Sequence, residues 1–140
     1  MKTYNIPVEA TLEVIGGKWK VVILCHLKKG TKRTSELKRL MPGITQKMLT
    51  QQLRELEEDD VIQRKVYDQV PPKVEYSLTD YGSSLGAILD SLCTWGEVHL
   101  EKTGIRPCLL QLMNSNCSYY IENKNRSRQY LPQPIFYASL

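Results

Sequence analysis

The chain has 140 residues, enough to bury one hydrophobic core, and its 41% hydrophobic and 24% charged residues are ordinary for a globular domain. No apolar run approaches the ~18 residues that cross a bilayer, and Glu9 and Glu13 interrupt the N-terminal segment, so a cytoplasmic protein without a membrane partner is expected. The net charge of +4 is unevenly distributed, because residues 18–54 hold ten basic residues against one acid and carry +9. Such a basic segment is typical of a surface that binds a polyanion. The alternative is a lysine-rich surface that only contacts water.

Apolar residues at helical spacing predict three short helices in the first third of the chain. The first covers residues 8–15. The second covers residues 18–28 and should place four apolar side chains on one face: Trp19, Val22, Ile23 and Leu27. The third covers residues 34–41, and Thr34 or Ser35 is its expected N-cap.

A fourth helix is predicted from Thr45, its expected cap, to about Asp59. Its leucines share one face, and the opposite face carries polar and basic side chains in the first two-thirds of the helix: Lys47, Thr50, Gln51 and Arg54. Five acids, called the acidic block below, follow within six residues: Glu55, Glu57, Glu58, Asp59 and Asp60. If the polar face meets a polyanion, these acids are expected to point away from it.

After Asp60 the apolar residues recur about every second position instead of every third or fourth. This spacing predicts two strands, residues 61–67 and 73–78, joined by a loop with two prolines. Thr79 is the expected cap of one long final helix that ends at Gly104. This helix is longer than a three-helix core can cover, so we expect its apolar face, together with that of the first helix, to form a homodimer interface. The expected interface residues are Val8, Leu12, Ile15, Leu85, Ile88, Leu89, Leu92 and Trp95.

The four cysteines form no CxxC pair and have no histidine at metal-ligand spacing, so neither a metal site nor a cofactor is predicted. Cys25 and Cys93 lie in apolar helical patterns, where buried, reduced thiols with raised pKa and poor reactivity are expected. If the protein has a thiol switch, Cys108 or Cys117 is the better candidate. Both belong to residues 105–140, a C-terminal extension of open structure and role, whereas residues 1–104 are expected to form the folded domain.

Three short helices, a fourth with exposed donors and then a hairpin are the element order of a winged helix-turn-helix, a mainly α fold with a small β-hairpin. An α-helix fits the major groove of DNA, where Lys47 and Arg54 suit guanine edges or phosphates, and Gln51 suits adenine. Thr50 suits either a base edge or a phosphate. Further DNA contacts are expected at the starts of the third and fourth helices and beside the hairpin loop: Thr45, Gln46, Ser35, Lys65 and Lys73.

Other functions account for less of the pattern. An amphipathic bundle helix with a solvated basic face explains the fourth helix but neither the hairpin nor the +9 segment. A winged helix that binds only protein, as an antirepressor does, would not need the exposed polar set. No GxSxG, HExxH, phosphate-binding glycine loop or carboxylate pair is present, so an enzyme is not indicated.

Residues 7–102 resemble the HxlR-type bacterial transcription regulators, a branch of the winged-helix repressors. The resemblance is carried by PVEATLEVIGGKWK, ELKRLMPGITQKMLTQQLRELEEDDVIQRKVY, VEYSLTDYG and CTWG. It implies a cytoplasmic homodimer that places two recognition helices in successive major grooves of a pseudo-palindromic operator, with the terminal helices as the interface. Some relatives sense quinones, aldehydes or oxidants, which implies an effector of that kind.

Two positions depart from the family pattern. Ile6 stands where several oxidant-sensing relatives carry a cysteine, so their best-known thiol switch is not available at this position. The pair Arg33-Thr34 replaces an Arg-Phe pair that often opens the third helix. This exchanges a core aromatic side chain for a possible cap.

Overall fold

The computed structural model describes residues 1–105, with six helices and three strands among them. In chain order these are α1 (Pro7–Ile15), α2 (Lys20–Lys28), β1 (Lys32–Arg33), α3 (Thr34–Leu40), α4 (Gln46–Glu58), β2 (Ile62–Tyr67), β3 (Lys73–Leu78), α5 (Asp80–Ser83) and α6 (Gly86–Thr103). The chain divides into two compact units, Met1–His99 and Leu100–Leu140, and these elements lie in the first except for the end of α6. The predicted class, mainly α with a small antiparallel sheet, is confirmed.

One hydrophobic core holds the helices and the sheet together. Its buried members are Ile15, Ile23, Leu24, Leu27, Leu37, Met41, Ile44, Leu49, Leu53, Leu56, Val61, Ile62 and Leu89. Burying one such side chain stabilises the fold by about 1.5–3 kcal/mol. On α2 the predicted face is wrong at Val22, which is exposed, because the buried stripe passes through Leu24 instead. No helix among residues 1–105 is long and apolar enough to cross a membrane.

The hairpin belongs to a three-stranded antiparallel sheet in the order β1-β3-β2. Strands β2 and β3 pair from Ile62 with Leu78 to Tyr67 with Lys73. The edge strand β1 is absent from the sequence prediction, because two residues cannot display a two-residue period. It also shifts the start of α3, whose N-cap is Arg33 rather than Thr34 or Ser35. The Arg33 N–H donates to the Glu36 carboxylate at 2.7 Å.

Both ends of α4 follow from local chemistry. The predicted cap is confirmed: the Thr45 hydroxyl oxygen accepts from the Met48 N–H at 3.1 Å. At the other end Asp60 has a φ of 57°, the left-handed conformation that ends many helices and that Asp tolerates better than most residues. The Val61 N–H then donates to the Leu56 carbonyl at 3.0 Å. One residue of the acidic block therefore shapes the turn into the sheet.

The single long helix predicted after Thr79 is wrong, because it is divided into α5 and α6. Thr79 does cap α5, accepting from the Gly82 N–H at 2.9 Å, while its own N–H donates to the Val61 carbonyl at 3.1 Å. Gly82 lies so close to that carbonyl that an added Cβ would sit 1.9 Å from its oxygen. These contacts fix α5 against the sheet. The 18 residues of α6 span about 27 Å at 1.5 Å per residue, well short of the predicted helix.

Candidate nucleic-acid interface

The rotation of α4 about its axis is fixed by Leu49, Leu53 and Leu56, all of which are buried. Four polar side chains consequently lie exposed along its opposite side, as the sequence predicts, and are called the polar row below: Lys47, Thr50, Gln51 and Arg54. Gln46 is exposed at the start of the helix. Thr45 is also exposed, at the cap. Buried leucines thus present a row of hydrogen-bond donors to solvent on a rigid element.

Two side chains in this row already have partners. The Thr50 hydroxyl donates to the Gln46 carbonyl at 2.9 Å, which leaves its oxygen free to accept. The Gln51 amide nitrogen donates to the Glu55 carboxylate at 2.9 Å. A bidentate contact between Gln51 and adenine needs one amide N–H and the carbonyl. The amide group has two N–H donors, so the bond to Glu55 leaves one N–H and the carbonyl for a base.

Lys20 departs from the expectation that the basic residues of 18–54 form one polyanion-binding surface. It is only 8% exposed, and its Nζ lies 2.8 Å from the Glu55 carboxylate. Lys28 likewise pairs with Asp90. Hydrogen bonds from Lys20 and Gln51 hold the pKa of Glu55 below its usual range. The first acid of the acidic block therefore ties α4 to α2, in addition to lying beyond the polar row.

The turn between α3 and α4 is fixed by main-chain and side-chain bonds. The Lys38 amino group donates to the Ile44 carbonyl. Gly43 has a φ of 100°, a conformation that side chains rarely adopt. The Ile44 side chain lies in the core. Ser35 is exposed at the start of α3, where the sequence analysis expects a DNA contact.

A second basic group lies on one face of the sheet. Lys65 and Lys73 place their amino groups 4.9 and 4.7 Å from the centroid of the Tyr67 ring, as in cation–π contacts. Lys73 also pairs with Glu75 at 2.6 Å, and that bond chiefly holds the pKa of Glu75 below its usual range. Lys65 is exposed, whereas the side chain of Lys73 is 24% exposed. The two lysines therefore differ both in exposure and in pairing with a carboxylate.

Arg33 is a basic residue of this face that is absent from the DNA contacts predicted from the sequence. It stands opposite Glu75 in the register of β1 with β3 and contributes to the lowered pKa of that carboxyl. Because β1 is too short to be recognised from the sequence, no sequence signal places Arg33 beside the hairpin.

The expected dimer residues divide into two groups. Ile15 and Leu89 are only 4% and 1% exposed, because they lie in the core of the chain itself, so they cannot add area to an interface. Leu85 is half-buried. The others are exposed on α1 and α6: Val8, Leu12, Ile88, Leu92 and Trp95. Ile6 and Val98 are exposed apolar neighbours outside the predicted set. These seven side chains are called the apolar stripe below.

The cysteine prediction is wrong for Cys93, which is exposed. Cys25 is half-buried, and its Sγ lies 4.0 Å from that of Cys93. This contact and burial raise the pKa of Cys25, as expected, whereas the hydrogen bond from Cys25 lowers the pKa of Cys93 to about 7. Cys108 and Cys117 lie outside the described residues. Among residues 1–105 no group of His, Cys, Asp or Glu side chains could hold a metal ion.

The family follows from comparison with known proteins. Residues 14–104 match the model of the HxlR-like helix-turn-helix family. The chain belongs to the HxlR family. It is 75% identical over 101 residues to YtcD of Bacillus subtilis (strain 168), named an uncharacterized HTH-type transcriptional regulator, a match that covers 72% of this chain and 80% of YtcD.

Solved structures agree with this assignment. A crystal structure of ytcD superposes with a TM-score of 0.66 at 73% identity, covering 69% of this chain and 98% of that one. The redox regulator HypR in its reduced form gives a TM-score of 0.68 at 51% identity, covering 72% and 100%. The HxlR chain is thus a DNA-binding helix-turn-helix transcription regulator and not an enzyme.

Proposed function

We propose that this HxlR regulator acts as a homodimeric repressor that reads a pseudo-palindromic operator with the exposed face of α4. The observation that carries the proposal is the polar row on α4, held outward by three buried leucines. Lys47 and Arg54 supply charge, and Gln51 supplies an amide that can pair with adenine. Thr45, Gln46 and Ser35 lie exposed beside the row and suit phosphates, because hydroxyl and amide groups commonly position a protein on the DNA backbone.

The sheet supplies a second contact in this proposal. Lys65 is exposed on β2, beside the loop of residues 68–72, and can reach a phosphate next to the groove that holds α4. Lys73 contributes less, because its charge is already paired with Glu75. Phosphate contacts of this kind fix orientation on the duplex without reading sequence.

The apolar stripe supports the homodimer. Its members on α6 recur every three or four residues, at Ile88, Leu92, Trp95 and Val98, which is the spacing of one helix face. Contiguous exposed apolar side chains on a helix mark a protein interface. A second copy with the same stripe satisfies a two-fold interface, and two α4 helices related by two-fold symmetry would meet two half-sites about one helical turn apart. Such a regulator acts on the chromosome, in the cytoplasm.

Footprinting with the purified full-length protein on the DNA upstream of its own gene tests this function. We expect two protected half-sites about 10 base pairs apart, centre to centre, that overlap the promoter. Transcription in vitro from that promoter should fall when the protein is added. Protection of the whole fragment without preference, or none at low salt, would refute sequence-specific binding and favour a module that binds only protein.

A further inference from the structure

Two cysteines from different helices meet where α2 packs beside α6. The sulfur atoms of Cys25 and Cys93 lie 4.0 Å apart, although 68 residues separate them in sequence. One turn along α2, the Lys28 amino group pairs with Asp90 and donates to the Gly86 carbonyl at 3.4 Å. Later residues of α2 thus contact earlier residues of α6, so the two helices run antiparallel here. An ion pair holds them together next to the two thiols.

We propose that Cys25 and Cys93 form a two-electron redox site, in which a hydroperoxide oxidises Cys93 and Cys25 then closes an intrachain disulfide. Their exposures fit these unequal roles. Cys93 is exposed on α6 and accessible to a small oxidant, whereas Cys25 is half-buried and packs against the core. A disulfide bond is about 2.05 Å long, so the two sulfurs must approach by about 2 Å.

The reaction balances in two steps. The Cys93 thiolate attacks the terminal oxygen of the hydroperoxide, the O–O bond breaks, and Cys93 becomes a sulfenic acid. The alkoxide that leaves takes up from solvent the proton that the Cys93 thiol released, and becomes an alcohol. The sulfur of Cys25 then attacks the sulfur of Cys93, and the S–O bond breaks as the S–S bond forms. The hydroxide that leaves takes the Cys25 proton and becomes water. Two thiols lose two electrons, and the hydroperoxide is reduced to an alcohol and water.

The electrostatic surroundings favour Cys93 as the thiol that reacts first. The hydrogen bond from Cys25 lowers the pKa of Cys93 to about 7, with help from the Lys28 charge and against burial and the charges of Glu97 and Asp90. An unperturbed cysteine has a pKa of about 8.5. The same hydrogen bond and burial raise the pKa of Cys25, which therefore stays protonated until Cys93 is oxidised. The thiolate is the nucleophile, so attack begins at Cys93.

The thiol pair lies away from the apolar stripe. With about 100° per residue along a helix, Cys93 lies about 160° around α6 from Trp95. It faces the side occupied by α2, and the proposed dimer does not need this face. The redox site therefore does not depend on the proposed dimer or on DNA binding.

Peptide mapping of the oxidised full-length protein tests the site. The reduced protein is treated with one molar equivalent of hydrogen peroxide, alkylated with iodoacetamide and digested with trypsin without reduction. Trypsin releases Cys25 in the peptide of residues 21–28, Cys93 in that of residues 74–102, and the other two cysteines together in that of residues 103–124. The mass of a peptide or of a linked pair therefore shows which cysteines have reacted. We expect peptides 21–28 and 74–102 to be linked, 2 Da lighter than their reduced sum, with both alkylated forms lost.

Other products would overturn the proposal. These are oxidation of residues 103–124 while Cys25 and Cys93 remain alkylated, a sulfinic acid at Cys93 without a link, or two covalently linked chains under denaturing, non-reducing conditions. The double variant Cys108→Ser/Cys117→Ser should still form the link. Cys93→Ser should abolish it, and this exposed site tolerates the exchange.

The pH dependence of alkylation tests the roles of the two thiols while Cys25 is left in place. In the same Cys108→Ser/Cys117→Ser protein, alkylation of Cys93 by iodoacetamide should rise through pH about 7 and come before alkylation of Cys25. A rise centred at about pH 8.5, the pKa of an unperturbed thiol, or earlier alkylation of Cys25, would contradict the assigned roles.

Discussion

Lys20 at the start of α2 places its Nζ 2.8 Å from the carboxylate of Glu55, in the last third of α4. The Lys20 side chain is 10% exposed and that of Glu55 is 35% exposed, so the pair lies at the edge of the core. Through Glu55 the bond continues to Gln51 on the polar row. A lysine that the charge count assigns to the surface thus supports the helix that carries the proposed DNA-contact residues.

Replacing this lysine should cost stability. Lys20→Met keeps most of the aliphatic stem and removes the charge, and we expect the free energy of unfolding to fall by about 1 kcal/mol. This is closer to the 0–1 kcal/mol of exposed pairs than to the 3–5 kcal/mol of buried ones, because water can reach Glu55. Urea denaturation followed by circular dichroism measures it. Lys47→Met, an exposed lysine on α4, is the control and should change stability by less than about 0.5 kcal/mol.

The same pair predicts a pH dependence. Because Lys20 and Gln51 lower the pKa of Glu55 from 4.5, the pair stabilises the fold above that pH, and the contribution is lost as the pH falls through the lowered pKa. The stability difference between the wild type and Lys20→Met should be full at about pH 7 and shrink below about pH 4.5. A difference that stays constant down to about pH 3 would mean that Lys20 acts through packing alone.

Gly82 should resist substitution. An added Cβ would lie 1.9 Å from the Val61 carbonyl oxygen, a main-chain atom that already accepts from the Thr79 N–H. We expect Gly82→Ala to lower the free energy of unfolding by about 2–3 kcal/mol, as overpacking does. Gly96→Ala on α6 is the matched control, because nothing lies within 4 Å of its added Cβ, and it should raise stability by up to about 1 kcal/mol. Equal effects of the two changes would contradict the close approach at Val61.

The apolar stripe predicts a dimer that should dissociate when two charged side chains are introduced into the stripe. Leu92 and Trp95 are 47% and 68% exposed, so Leu92→Glu/Trp95→Glu should leave the core intact while opposing association. Light scattering at micromolar concentration should give the mass of two chains for the wild type and of one for the variant. Val66→Glu, an exposed valine on β2 outside the stripe, is the control and should remain dimeric. A monomeric wild type would refute the interface.

The two lysines of the sheet should differ in DNA binding. Lys65→Ala should weaken binding to all sequences and lower the slope of log affinity against log salt by about one, the effect of one lost phosphate contact. Lys73→Ala should change the slope less, because Lys73 is paired with Glu75. Glu75→Gln releases that charge and should raise affinity for any duplex. Fluorescence anisotropy at several salt concentrations measures all three, and equal slopes for both lysine variants would contradict the role of the pair.

The sequence predicts well the elements whose residues repeat with a clear period. The leucines of α4 indicate its buried face because burial repeats along the helix. The residue pattern of β2 and β3 predicts the strands themselves but not a buried face, because only Ile62 of these two strands is buried. The break between α5 and α6 has no such periodic signal, and neither has the close approach of Gly82 to Val61 across the fold. The same holds for Lys20, whose burial requires Glu55 on another helix, and for Cys93, whose lowered pKa requires Cys25 on α2.

The role of α4 in reading DNA is tested most directly by comparing variants of its polar row on operator and scrambled duplexes. Lys47→Ala and Arg54→Ala should each weaken operator binding by about 1–3 kcal/mol. Gln51→Ala should lower affinity for the operator and leave the scrambled duplex almost unchanged, because an amide carries no charge. All three side chains are exposed, so the variants should remain folded. Operator affinity unchanged in all three folded variants would contradict the assignment of α4 as the recognition helix.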